Sequence, residues 1–534
     1  MIAKALLQGA IGLRMAITRQ QLLVPFIRKT RAPMAAQHKV LLEILRQNAH
    51  TRYGRAHDFS RIRSIREYRQ KVPVNDYESL RKHIECQEAS GTSCLTREQP
   101  ILFARTSGTS GQPKDIPILQ STVRQYRRSQ QMVASLIHRT VPGAFSGKVL
   151  AIGSPAVEGY TDRGTPYGAM SGLIYESMPA MLRKRYVLHP AVFHIQDHAA
   201  RYLEIIRQAL AERQVSLLAT ANPSTLIRLD RLMNEHAAEM IDAIGQHDAA
   251  RAAELDRLVS TRGRLLFADI WPQLKAVNTW TGGNCAVLIP ALRQLLPERA
   301  QLVELGYLSS EFRGTITLVP GTNLQVPTLN ENFFEFAERH ERENGRDRLL
   351  TLDQLQLGRQ YYVVVTSRNG LYRYDINDLV EVTGRYNATP TIRFLQKGRG
   401  VTSLTGEKLC ECQVVQAMTE AVEREGRGIG FFKMLACPDA RQYTLYVEAD
   451  TLDADAIDER LCRLNIEYAA KRHSGRLKAL RMVRLKAGAG EAYRQHQLDR
   501  GQRETQFKMD YLEQSGECSF DFAAFEQKRQ HAVA

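Results

Sequence analysis

An α/β fold is predicted for this chain by three features of its apolar pattern. Between residues 199 and 337 helical and extended segments take turns, and runs such as Val215–Ala219 are short and apolar enough for strands buried on both faces. From Arg359 the pattern shortens to hairpins, the mark of a small, barrel-like β subdomain. Beyond the basic, glycine-rich Gln396–Gly400, a plausible hinge, an αββαβ order spans about a hundred residues and suits a small mobile α+β cap.

The elements follow in order. Met1 to Leu42 holds seven Lys/Arg and no acid, with Ile2, Leu6, Leu13 and Ile17 on one helical face. A helix docked on the main domain is the first expectation, and weak contact with a membrane surface the second. Arg14 and Arg19 interrupt the apolar residues too early for a spanning helix. Gln37–Arg81 is helical in spacing and breaks at Val72-Pro73-Val74. Pro100–Ala104 reads as a strand, and Gln120–Arg139 and Ala199–Gln214 as helices. A turn at Asn222-Pro223-Ser224 precedes charged helical sequence over 225–260.

Strands are expected at Arg264–Ala268, Ala276–Trp280, Gln301–Leu305 and Asn332–Ala337, with a helix at Val287–Leu296. Asn369-Gly370 reads as a two-residue turn between strands Tyr361–Thr366 and Leu371–Asp375, followed by strands Leu379–Thr383 and Thr391–Leu395. The last module is read as a helix Glu411–Glu423, strands Phe431–Ala436 and Gln442–Ala449, a helix Asp455–Lys471 and a strand Leu480–Leu485.

With 43% hydrophobic and 24% charged residues the chain falls outside the disordered and fibrous classes. Its formal charge of +16 suits anionic substrates, but zinc-finger spacing, basic blocks and aromatic platforms are missing, so specific nucleic-acid binding is not expected. Eight cysteines in 534 residues make no disulfide scaffold, and a reducing cytoplasm is the expected location. Cys410 and Cys412 lack metal spacing, while Cys285 and Cys437 read as core fillers.

The most informative segment is Thr106-Ser107-Gly108-Thr109-Ser110-Gly111-Gln-Pro-Lys114. Its glycines permit close backbone approach, its hydroxyls and N–H groups suit phosphate oxygens, and its lysine adds charge. No Ser or Thr follows Lys114, so it is not the G-x-x-x-x-G-K-[ST] loop. Three further segments follow strands: Thr281-Gly282-Gly283, Tyr307-Leu308-Ser309-Ser310-Glu311, and Tyr372-Arg-Tyr-Asp-Ile-Asn-Asp378. Open α/β sheets bind ligands at such carboxyl ends. Taken alone, each segment also fits a capped helix start or a sheet-face ion pair.

In this order and spacing the segments resemble the Gretchen Hagen family of acyl acid amido synthetases, within the adenylate-forming superfamily, and the chain is identified as a bacterial-type member. The resemblance runs roughly from residue 36 to 515. It includes Asn48-Ala-His-Thr-Arg-Tyr-Gly54, Val72-Pro-Val-Asn-Asp-Tyr77, Asn332-Phe-Phe-Glu-Phe336, Gly406-Glu-Lys-Leu-Cys-Glu411 and Thr505-Gln-Phe-Lys508.

It implies a basic extension (1–35), a large adenylate-forming domain (36–396, its β subdomain about 359–396) and a cap domain (397–534). It places Thr106 to Lys114 on ATP phosphates through Ser107, Thr109 and Ser110, Thr281 and Gly282 near adenine, and Tyr307 to Ser310 around Glu311, which faces Mg2+. Asp378 holds the ribose. Asp375 and Asn377 depart from the family's arginine and glycine there. Lys408 and Lys508 match cap lysines, and Arg399 the arginine near the hinge. The implied reaction joins a small carboxylic acid to an amine, an amino acid foremost. A thiol acceptor, or a basic nucleotide- or membrane-binding protein without turnover, are the alternatives.

Overall fold

The computed structural model describes residues 2–106, 114–176, 178–195, 197–322, 324–346, 348–398, 400–426, 428–449, 451–500, 502, 507 and 509–527. The chain forms two compact units: Met1–Thr281 with Leu295–Phe394, and Gly282–Gln294 with Leu395–Ala534. The sequence reading kept 282–294 in the large domain; its residues cluster instead with the C-terminal part, where Val287 joins the core of Leu409, Val414 and Met418.

The first unit is built on three main sheets. A parallel sheet takes Lys148–Ala151, Val215–Ala219, Ala276–Thr279 and Gln301–Glu304 in that order. Its strands are short and almost wholly buried, as strands covered on both faces must be. Register pairs Ala219 with Asn278 and Thr279 with Glu304, so these carboxyl ends lie side by side. A second sheet holds the hairpin Leu102–Thr106 and Lys114–Ile118 beside Pro166–Gly168 and Gly159–Tyr160. The third is antiparallel, ordered Leu349–Leu350, Phe333–Glu338, Gln360–Thr366, Tyr374–Tyr386, Thr389–Lys397.

In this unit three expected elements differ. Arg264–Ala268 is no strand: its apolar side chains Leu265 and Phe267 are buried at the entry to the helix Phe267–Ile270. Asn369-Gly370 is not a two-residue turn, because Val365 pairs with Tyr374 across a loop running from Ser367 to Arg373. The strands expected at Leu371–Asp375 and Leu379–Thr383 are one strand, Tyr374–Tyr386.

The N-terminus forms a helix Ile2–Thr18, a π turn Arg19–Leu23 and a helix Val24–Lys29. Leu23 and Phe26 are buried against Met132, Val133 and Leu136 of the helix Gln120–Thr140. Gln8 Nε2 donates to the Phe145 carbonyl at 3.2 Å. Leu13 and Ile17 stay 65% and 46% exposed.

The second unit is a four-stranded mixed sheet, ordered Arg481–Arg484, Gln442–Val447, Phe432–Cys437, Leu512–Gln514. Helix Glu411–Glu425 supplies Val414, Val415 and Met418 to its core. The long helix expected over Asp455–Lys471 is two, Ala454–Leu464 and Ile466–His473, because Asn465 stops the first and caps the second by accepting from Tyr468 N. Among the described residues no helix is long and apolar enough to cross a membrane.

Candidate functional site

Thr106 and Lys114 face each other as the last paired residues of two antiparallel strands. Ser107, Gly108, Thr109, Ser110 and Gly111 lie outside the described residues. Below the Thr106–Lys114 pair, Arg105 and Asp115 make a two-pronged ion pair of 2.7 and 2.9 Å, and the guanidinium lies 3.6 Å from the Tyr167 ring centre. Tyr77 braces the same rung: its hydroxyl accepts from Asp115 N at 2.7 Å and donates to Asp115 O at 3.2 Å. Burial pushes its phenol up to about 12, so it stays a donor. Lys114 Nζ sits 5.7 Å from the Tyr77 ring centre, which holds the ammonium near the mouth of the hairpin.

Tyr307 follows the strand Gln301–Glu304, and Asp378 lies within the strand Tyr374–Tyr386. The structure brings them together: Tyr307 Oη donates to Asp378 Oδ2 at 2.6 Å, and both residues are buried. Burial, reinforced by the Asp378 charge, drives the phenol well above its ordinary value. The ring is fixed by stacking on Phe394 at 5.5 Å and by Gly314, where a Cβ would fall 2.3 Å from the ring. Glycine is required at 314 by that approach.

Glu311 sits half-exposed on a tight turn closed by Ser309 N donating to Phe312 O at 3.0 Å. Tyr126 Oη donates to the Ser309 carbonyl at 2.9 Å, and Ser310 lies half-exposed beside Glu311. The turn is tied to the rest of the site by Asn369, whose Nδ2 donates to the carbonyls of Glu311 and Pro117, each at 3.2 Å. Pro117 belongs to the strand that leaves the Thr106–Lys114 segment. A residue expected at a hairpin tip is therefore a buried clamp between the Glu311 turn and the strand that begins at Lys114.

Thr281 donates through both N and Oγ1 to Glu304 Oε2, at 2.7 and 2.6 Å, while Glu304 Oε1 accepts from Gly306 N at 2.8 Å. The buried Glu304 carboxylate thus holds two adjacent strand exits together. Gly282 has φ −112°, ψ −178°, an extended geometry open to any residue; the left-handed position is Gly283, φ +54°.

The Tyr372–Asp378 segment explains its own departures from the family pattern. Asn377, where the resemblance implies a glycine, adopts φ +55°, with its N–H donating to Asp375 Oδ1 at 2.9 Å. Asp375 pairs with Arg342. Arg373 is buried, not at the surface: Nε donates to Glu335 Oε2 at 2.9 Å and Nη1 to the Val72 carbonyl at 2.7 Å. Asn75 bonds this segment through an isolated parallel bridge, Asn75 N to Arg373 O and Asp375 N to Asn75 O.

Within the second unit Lys408 is exposed yet has φ +47°, uncommon for a side-chain-bearing residue. Its backbone is held from below. Asn465 Nδ2 donates to the carbonyls of Glu407 and Lys408, and the buried Glu407 carboxylate accepts from Leu404 N, Thr405 N and Tyr443 Oη. Burial works against the Glu407 charge, but the Tyr443 and backbone hydrogen bonds outweigh it and keep this carboxyl below its ordinary value. Strain maintained by surrounding structure is a mark of functional positions. Lys508 and Arg399 lie outside the described residues.

Sequence reasoning missed Tyr77, Glu304 and Asn369. Tyr77 stood in the quoted Val72–Tyr77 motif, which was its signal; Glu304 and Asn369 had none, since Thr281 lies 23 residues from Glu304, and Glu311 and Pro117 lie 58 and 252 from Asn369.

Residues 23–301 match the GH3 family N-terminal domain, 325–397 its central domain and 412–517 its C-terminal domain. The chain belongs to the GH3 family. The indole-3-acetic acid-amido synthetase GH3.4 of Arabidopsis thaliana is 25% identical over 464 residues, covering 79% of this chain and 75% of its own length. Another from the same plant, GH3.2, is 24% identical over 471 residues, with 79% and 83% covered. The relatives are plant proteins and lend no support to the expected bacterial type. Among solved structures, the GH3.15 acyl acid amido synthetase superposes with a TM-score of 0.80 at 21% identity, covering 95% of this GH3 chain and 96% of that one. A 2-hydroxyisobutyryl-CoA ligase in the postadenylation state, bound to 2-HIB-AMP, reaches 0.53 at 12% identity, covering 90% and 89%. Both likenesses show a shared fold.

Proposed function

We propose that this GH3 chain is an ATP-dependent acyl acid amido synthetase that activates a small carboxylic acid as its acyl-adenylate and transfers the acyl group to an amino acid. The observation that carries this reading is the linkage of Asp378, Glu311 and the Thr106–Lys114 hairpin through Tyr307 and Asn369 in one unit. The relatives' names, as amido synthetases, support an amine over a thiol as acceptor.

A carboxylate is a poor acyl donor because oxide would have to leave. Attack of its oxygen on the α-phosphorus of ATP forms the acyl–phosphate bond and expels pyrophosphate; attack of an amine on the carbonyl then forms the amide and expels AMP. The chain's task is to gather and orient anions. Thr106, Lys114 and the segment between them, with Ser107, Thr109 and Ser110, would cradle phosphates, Thr281 and Gly282 would border adenine, and Asp378 would accept from ribose hydroxyls.

Glu311 fits Mg2+: it is a half-exposed carboxylate, and among the described residues no group of three or more His, Cys, Asp or Glu forms a protein cage. Such an ion is ordinarily held by one or two carboxylates plus phosphate oxygens and water. When bound it would neutralise phosphate charge. Lys408, presented on its strained turn, is the second unit's candidate catalytic lysine, with Lys508 and Arg399 as further candidates.

A cytoplasmic location is supported by the free thiols of the chain. Weak membrane-surface contact through residues 1–35 draws support from the exposed Leu13 and Ile17. Equal flotation with liposomes after deleting residues 1–30 would remove it.

The test of function is product analysis with ATP, Mg2+, aliphatic, aryl and indole acids, and either mixed amino acids or coenzyme A. AMP, pyrophosphate and an amide mass are expected. A thioester without amide would move the reading to a thiol acceptor, and ADP in place of AMP would overturn it.

A further inference from the structure

The helix Tyr77–Ser90 ends at Gly91, whose φ of +63° turns the chain back on itself. The return is fixed by Gln87, whose Oε1 accepts from Leu95 N at 2.8 Å and Thr96 N at 3.0 Å while its Nε2 donates to Thr96 Oγ1 at 2.8 Å. This fold-back sets Cys94 against Cys86 with their sulfurs 2.7 Å apart. A guanidinium completes the group: Arg52 Nη1 donates to Cys86 Sγ at 3.0 Å, and the Arg52 segment is itself bonded to the turn through Arg52 N to Ser93 O and Tyr53 N to Cys94 O.

We propose that Cys86 and Cys94 are a redox modification site, a reversible dithiol that closes to an intramolecular disulfide with Cys86 as the attacking sulfur. The sulfurs need close by only about 0.6 Å to reach the bond length of about 2.05 Å. Cys94 is fully buried whereas Cys86 is partly exposed, so an external oxidant meets Cys86 first. The hydrogen bond from Cys94, and after it the Arg52 charge, hold the Cys86 thiol below its ordinary value against some desolvation, while burial pushes Cys94 up. The exposed sulfur is therefore the better thiolate, the state that attacks.

With a small disulfide as oxidant, the Cys86 thiolate attacks one of its sulfurs, forming a mixed disulfide and expelling one small thiolate. Cys94 then loses its proton and attacks the Cys86 sulfur, forming the internal bond and expelling the second. Two protein thiols are oxidised, one small disulfide is reduced, and two protons pass to the released thiolates.

The test uses the full chain and oxidised glutathione, followed by denaturing alkylation with iodoacetamide and trypsin. No Lys or Arg lies between His83 and Arg97, so both cysteines fall in one tryptic peptide. It is expected two hydrogens lighter and unalkylated, and dithiothreitol restores two alkylatable thiols. The same peptide doubly alkylated, or carrying stable glutathione on both cysteines, would overturn the proposal. The Cys94→Ser variant should trap one glutathione on Cys86; no adduct there would show that Cys86 is not the attacking sulfur. Arg52→Met should slow closure by about three- to tenfold, and an unchanged rate would remove the arginine from the site.

Discussion

Replacing Tyr307 with phenylalanine deletes one oxygen atom and isolates a single contact. The phenol donates to Asp378 at 2.6 Å, and the carboxylate is 2% exposed, so water has little access to replace the lost donor. A hydrogen bond to a charged, buried group is worth about 1.5–3 kcal/mol. The ring's stacking on Phe394 survives the change, since phenylalanine keeps the face. The first unit should therefore lose about 2 kcal/mol, seen as a fall of about 2–4 °C in its thermal midpoint for a unit of this size. Because Asp378 is then less firmly placed, kcat/KM for ATP in pyrophosphate exchange should drop by about 10- to 100-fold, with the exchange not abolished. Wild-type melting together with wild-type exchange would refute the reasoning that Tyr307 positions Asp378.

Further outcomes follow from the same structure. Burial, and after it the neighbouring Asp510 charge, raises the Glu411 carboxyl from the usual range to about 7. A folded value above the unfolded one means stability fully present below about pH 4.5 and lost as pH rises through about 7. Glu411→Gln should flatten that loss and gain up to about 3 kcal/mol at pH 8; urea unfolding of both forms at pH 5 and pH 8 with an unchanged difference would contradict it. Arg373→Met leaves Glu335 in its buried place without this partner and should cost about 3–5 kcal/mol, read by urea midpoint against wild type. Asn377→Gly keeps the left-handed geometry and should retain exchange activity, whereas Asn377→Val should lose about 1–3 kcal/mol of stability. Lys408→Gly relieves the positive φ, so it should melt at or slightly above the wild-type temperature while exchange or transfer falls at least about 10-fold. Unchanged kinetics in both half-reactions would leave Lys408 a solvated surface lysine.

What could be read from sequence followed the range of the interactions concerned. Val215–Ala219 was legible because a strand buried on both faces writes a continuous apolar run. The Leu265-Leu266-Phe267 run looked the same but belongs to a buried helix entry, and short apolar runs do not separate the two by period. Asn369-Gly370 has the composition of a tight hairpin turn, yet Asn369 bonds carbonyls 252 and 58 residues away, and those contacts override the local turn preference. Asn465 was read through as helix interior, although its side chain is the cap that divides two helices. The candidate acids Glu311 and Asp378 were singled out through motif order. Of the groups that hold the constellation together, Tyr77 stood in a quoted motif, whereas the roles of Glu304 and Asn369 were not visible, because Thr281, Glu311 and Pro117 are brought to them only by the fold.

ATP–pyrophosphate exchange on a turned-over acid, compared among wild type, Glu311→Ala and Asp378→Ala, tests the central claim most directly. Acid-dependent exchange should be present in wild type and fall at least about 100-fold in each variant. Wild-type-like exchange in both variants would show that adenylation does not run through these residues.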